Sequence, residues 1–140
     1  MPLELPYQVL EDLLLDPKFA AEALMGWKLD DYQSAALKLD WWFPYTIDSS
    51  GTMSGKTLRM FILLNLRAML LEDQLCGAYF QTWSAGQQEF WPYFQKTIEQ
   101  SPIYRSQCLM DRRKYGGPNT GSVWQWRFDN GSKIEMPAPG

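Results

Sequence analysis

Histidine is absent from the 140 residues. That removes the usual general base behind serine and cysteine nucleophiles, and the commonest zinc ligand. Cysteine is scarce: Cys76 and Cys108 are the whole supply, with no ligand-like spacing. They read as reduced core thiols of a cytosolic protein. No apolar run reaches the roughly 18–20 residues of a membrane span. The longest, Phe61 to Leu71, is broken by Asn65 and Arg67. Near the N-terminus Glu4, Glu11 and Asp12 replace the early basic cluster of a signal peptide. Internal repeats and low-complexity tracts are also missing.

What is present suits one globular domain. Hydrophobic residues make up 46% and aromatics 15%, enough for a real core. The net charge of −3 is unevenly spread. Residues 1–100 hold 7 basic and 13 acidic side chains, and residues 101–140 hold 6 and 3. In that last part Arg105, Arg112, Arg113, Lys114, Arg127 and Lys133 alternate with Tyr104, Tyr115, Trp124 and Trp126. Basic and aromatic together suit a nucleic-acid backbone with stacked bases. A solvated loop beside a half-buried hairpin explains the same residues.

In order, Tyr7 to Leu15 predicts a short amphipathic helix. Asp16-Pro17 predicts an N-cap and first helical residue, with a second helix ending at Gly26. These form a helical extension, residues 1–26, ahead of a core spanning 27–140. Asp30 caps a third helix running to about Asp40, with Gln33 in its first turns. Phe43 to Ile47 reads as a strand entering a loop. Leu58 to Leu71 is a helix buried on most sides. Cys76 to Gln81 reads as a strand that Thr82-Trp83-Ser84 ends, and Ala85 to Gln100 as a helix N-capped by Ser84 that Pro92 either kinks or splits. Ser122–Phe128 and Ser132–Met136 alternate about Asn130-Gly131, predicting a hairpin with a type I′ turn. Trp124, Trp126 and Phe128 fall on one face of it. The fold class is α/β: a partial P-loop core, a parallel sheet flanked by helices, with a hairpin near the C-terminus.

The chemistry centres on Ser50-Gly51-Thr52-Met53-Ser54-Gly55-Lys56-Thr57. It approximates G-x-x-x-x-G-K-[ST], with Ser50 in place of the first glycine. Such a loop turns backbone N–H groups toward phosphate, and the following helix adds its positive end. Gly51, Thr52, Met53, Ser54 and Gly55 would form the cradle. Lys56, the candidate catalytic residue, places a charge on the outer phosphates, and Thr57 offers a hydroxyl to Mg²⁺. The expected cofactors are ATP and Mg²⁺. A Ser/Gly turn leading into an ordinary core helix is the competing reading. An acidic strand end, which hydrolysis requires to hold Mg²⁺ and polarise water, is not found. Leu13-Leu14-Leu15-Asp16 precedes the loop, Leu70-Leu71-Glu72-Asp73 ends the loop helix, and Phe128-Asp129 is a turn. The expectation is an N-terminal piece of a longer protein, stopping before that strand.

Taken together, Trp27…Asp31-Tyr32-Gln33, Gly51 to Thr57, Thr82-Trp83-Ser84-Ala85-Gly86-Gln87-Gln88 and Phe128-Asp129-Asn130-Gly131-Ser132-Lys133-Ile134 resemble the large subunit of tailed-phage terminases. The order and spacing of these segments, from Trp27 onward, carry the resemblance. It implies an ATPase motor that moves double-stranded DNA into a capsid in the cytoplasm of the infected bacterial host. It implies contacts with a portal protein and a small terminase subunit, a homo-oligomer, no membrane, and a separate metal nuclease domain. By the same resemblance Gln33 reads adenine, Gly51 to Lys56 hold phosphates and Thr57 holds Mg²⁺. One departure is Thr52, where the family usually has an arginine. Two other readings stay open: a helicase-like nucleic-acid translocase, and a non-catalytic nucleotide- or DNA-binding module.

Overall fold

The computed structural model describes residues 4–46, 55–80, 82–109, 119–120 and 123–137. The elements are α1 (Tyr7–Leu15), α2 (Pro17–Met25), α3 (Asp31–Trp42), α4 (Lys56–Leu70), β1 (Leu75–Gly77), α5 (Trp83–Gln100), α6 (Pro102–Gln107), β2 (Cys108–Leu109), β3 (Asn119–Thr120), β4 (Val123–Phe128) and β5 (Lys133–Pro137). The chain is α/β, mostly helical, with a small mixed sheet.

Helix boundaries follow local chemistry. The Asp16 carboxylate accepts from the Phe19 N–H, Pro17 opens α2, and Gly26 closes it in the left-handed conformation. Asp30 and Gln33 form a reciprocal capping box at the start of α3. At α5 the cap is Thr82, not Ser84: its hydroxyl accepts from the Ala85 N–H at 3.0 Å. Helix α5 then runs unbroken through Pro92.

The sheet order is β1-β5-β4-β2, with β3 also on β4. It is mixed, not parallel. Only β1 and β5 run parallel among the described strands, with Cys76 opposite Ile134. Strands β2, β3 and β5 all pair antiparallel with β4. For β4 and β5 the short connection dictates this, because a parallel neighbour needs a long crossover. The connecting turn also differs from type I′. Phe128 and Ser132 close the ladder, Asp129, Asn130 and Gly131 form the loop, and among these only Gly131 has positive φ, at 89°. That geometry is a type I turn followed by a left-handed glycine.

One face of the sheet is covered. Trp126, Phe128, Ile134 and Met136 are buried on it. The Trp126 ring lies 6.1 Å from Phe61 of α4 and 5.4 Å from Phe94 of α5. The opposite face carries Gln125, Arg127, Lys133 and Glu135, none of them buried. Helices thus flank the sheet on one side among the described residues. A sheet with mainly antiparallel pairs tolerates one wet face.

Two further expectations change. Phe43–Thr46 forms no strand: Phe43 and Tyr45 are exposed, and Pro44 lacks an N–H for a ladder. The strand expected over 76–81 is shorter, Leu75–Gly77, prolonged by one bond from the Ala78 N–H to the Glu135 carbonyl. Residues 4–26 share the main core: Ala20, Ala21 and Met25 are fully buried within it. Ser101 Oγ donates to the Leu24 carbonyl, and Gln100 Nε2 to that of Met25.

Candidate functional site

Residues 47–54, with Gly51, Thr52, Met53 and Ser54 among them, lie outside the described residues, as do Arg112, Arg113 and Lys114. The structure describes the phosphate-loop candidates from Gly55 onward. Gly55 is the N-cap of α4 with φ 77°. This left-handed conformation strains any residue with a Cβ. Gly55 is also hemmed in: Gln33 Nε2 occupies the space a Cβ would take. Two residues distant in sequence, each singled out for nucleotide binding, therefore meet in space.

Gln33 has a local duty as well. Its backbone N–H donates to Asp30 Oδ1 at 2.7 Å, and its Oε1 accepts from the Asp30 N–H at 3.4 Å. Its amide oxygen serves the cap of α3 while its amide nitrogen lies against Gly55.

Lys56 and Thr57 open α4 with no acidic residue in the first turn and no side-chain cap. The first N–H groups of a helix lack intrahelical acceptors and carry its positive end. Cations are disfavoured there, yet Lys56 and Arg59 both occupy the first turn. An anion would resolve the conflict.

Beside this turn is a cavity of about 350 Å³. Lys56, Thr57 and Arg59 line it from α4, facing Asp40 and Thr46. Met60 and Leu63 make it apolar further along. Its size falls in the range of small-molecule sites. Arg59 Nε donates to Asp40 Oδ2 at 3.1 Å, and the Thr46 hydroxyl donates to Asp40 Oδ1 at 2.8 Å. The Arg59 side chain is 4% exposed and that of Asp40 18%. Sequence reasoning missed Asp40, Thr46 and Arg59. The available signal was Arg59 itself, a second cation in the first turn of a largely apolar helix, three residues after Lys56.

The described wall joins a helix N-terminus, Lys56 and the Thr57 hydroxyl to the Arg59–Asp40 ion pair, which suits a phosphate chain. For Mg²⁺ the wall offers the Thr57 hydroxyl, and Asp40 is already engaged. No group of three or more acidic or Cys side chains that could hold a metal occurs among the described residues. That is compatible with Mg²⁺, which is often held by one or two protein groups plus phosphate oxygens.

Away from the cavity, three acids belong to the core. Burial pushes the Cys108 thiol up to about 12 and raises Cys76. Burial also raises the Tyr104 phenol well above its ordinary value. All three are protonated at neutral pH and unsuited to nucleophilic work. Among the described residues no helix is long and apolar enough to cross a membrane.

Comparison with protein-family models, with curated proteins and with solved structures returns no match to this chain.

Proposed function

We propose that this chain is the ATP-binding part of a terminase-like DNA-packaging motor, which couples ATP hydrolysis to translocation of double-stranded DNA. The observation that carries the nucleotide half is the cavity beside the first turn of α4. There Lys56, Thr57 and Arg59 converge on one wall, with no acidic residue in that turn. The contact of Gln33 with Gly55 supports it, since it brings the adenine-reading candidate to the end of the phosphate loop.

In this reading Lys56 attracts and orients the outer phosphates. The α4 N–H groups hold phosphate oxygens, and Thr57 presents its hydroxyl to Mg²⁺. Bound ATP with Mg²⁺ supplies the phosphoanhydride whose cleavage drives the motor. The motor half rests on the resemblance in sequence. It carries with it a homo-oligomeric ring, a portal protein, a small terminase subunit and the infected bacterial cytoplasm.

A non-catalytic nucleotide-binding module is the second reading. It is favoured by one observation: Asp40, the carboxylate on the described cavity wall, is tied to Arg59 rather than placed to polarise water.

Binding is the property to measure first. Titration of ATP-Mg²⁺ into the full chain is expected to show saturable binding that Lys56→Ala weakens at least about tenfold, the scale of one charge-assisted contact. Equal affinity of wild type and Lys56→Ala would overturn both readings. If binding depends on Lys56, a DNA-stimulated ATPase assay on the full-length protein, acidic strand included, separates motor from module.

A further inference from the structure

We infer that Arg59 is a second phosphate-contacting residue, held ready by Asp40, and that it sets the preference for a triphosphate over a diphosphate. The inference rests on the nucleotide reading above and adds a residue to it. Three observations carry it. Arg59 lines the same cavity as Lys56 and Thr57, three positions further along α4. An interval of three puts Lys56 and Arg59 on one helix face, about 4.5 Å apart along the axis. A group lying along that wall can touch both.

The second observation is orientation. A guanidinium is a planar fork of donors, and fixing one edge fixes its plane. Arg59 is fixed through Nε by Asp40, and Asp40 is fixed in turn by the Thr46 hydroxyl. Asp40 and Thr46 belong to α3 and the segment after it, so the chain preceding the loop positions a side chain following it.

The third is charge. The described wall carries Lys56 and Arg59 against one carboxylate, Asp40. Among the described residues it therefore carries one cation more than it has carboxylates, with Arg59 already paired. A triphosphate has more negative charge to place there than a diphosphate.

A purely structural tether between α3 and α4 is the rival account, and it has a precedent nearby. Arg67 of α4 donates to the Trp41 carbonyl at 2.8 Å and sits over the Trp41 ring. The experiment must tell these apart. Removing Arg59 alone would strand Asp40, so the informative variant is the double Asp40→Leu/Arg59→Met, which deletes both charges and keeps similar volume. ATP-Mg²⁺ and ADP-Mg²⁺ affinities are compared for wild type, Lys56→Ala and the double variant. The expected result is a loss of at least about tenfold for ATP in the double variant, with a smaller loss for ADP. An unchanged ATP-to-ADP ratio, with Lys56→Ala still impaired, would leave Arg59 as a tether and overturn this inference alone. Absent or Lys56-independent binding by the wild type would overturn the nucleotide reading and this inference together. Should the double variant fail to fold, the wild type gives the answer by NMR. The Arg59 Nε–H resonance, assigned with Arg59→Lys, is expected to move on adding ATP-Mg²⁺ and much less with ADP-Mg²⁺. A resonance that stays in place while the α4 amides shift would refute the contact.

Discussion

Asn65 shows how much one polar side chain can organise. It is fully buried in α4, and its Nδ2 donates to the Phe61 carbonyl at 2.7 Å. Its Oδ1 accepts from the Tyr104 hydroxyl at 2.6 Å and from Trp126 Nε1 at 3.1 Å. One oxygen thus joins α4, α6 and β4. Asn65→Ala removes that shared acceptor and opens a small cavity, and is expected to cost about 3 kcal/mol. Tyr104→Phe keeps the ring and loses one hydrogen bond, so about 1 kcal/mol is expected. Urea denaturation of the two variants checks the ranking, and equal losses would mean that the Tyr104 bond alone, not the shared acceptor, carries the effect. In sequence Asn65 looked like an interruption of an apolar run. Its partners, 39 and 61 residues away, could not be read there. Gln33 is a similar case, since sequence offered either an exposed helix residue or an adenine contact. The structure gives it a cap to complete and a glycine to face.

At the scale of elements, α4 is secured at its far end by the β4–β5 turn. Asn130 Nδ2 donates to the Ala68 carbonyl at 2.8 Å and lies 3.3 Å from those of Met69 and Leu71. Ser132 Oγ donates to the Leu71 carbonyl at 2.9 Å and accepts from the Gln74 N–H. A turn from one strand pair serves as the C-cap of a helix. Asn130→Ala is expected to destabilise the fold by about 1–2 kcal/mol, because helix-end carbonyls lose their donor. Asn130→Asp, with no N–H to give, should be no better. Thermal melting of both variants checks this, and a loss confined to Asn130→Ala would show that the turn conformation matters more than the cap. Local signals were the legible part of these elements. Asp16-Pro17, Gly26, Asp30 and the alternation of 126–128 act over a few residues, and the structure places them accordingly. Strand direction, the glycine-bulge turn and the absence of a strand over Phe43–Thr46 depend on distant partners. So did the cavity wall: Lys56 and Thr57 announce themselves by motif, whereas Asp40 and Thr46 join only because α3 lies against α4.

For the whole molecule, two deeply buried neutral acids set a limit at alkaline pH. Burial holds the Cys108 thiol at about 12 against an ordinary 9.0, and raises the Tyr104 phenol from 10.0. The folded state keeps protons that the unfolded chain releases. Their contribution to stability is therefore complete below pH 9 and drains away as pH climbs toward the folded values. For Cys108 alone the loss is about 1.4 kcal/mol per pH unit between 9 and 12. Urea midpoints at pH 8 and 10.5 are expected to fall for the wild type, and to fall less for Cys108→Ala. An equal fall in both would assign the alkaline loss to other groups. The long-range bonds have a consequence for synthesis. Gln74 and Ser132 are 58 positions apart, and β1 takes its parallel neighbour from the same late segment. At roughly 5–20 residues per second, a ribosome needs several seconds to deliver that segment. Until it emerges, α4 has an open end and β1 an unzipped edge. The nascent chain therefore passes through a sticky interval in which helper proteins have something to hold.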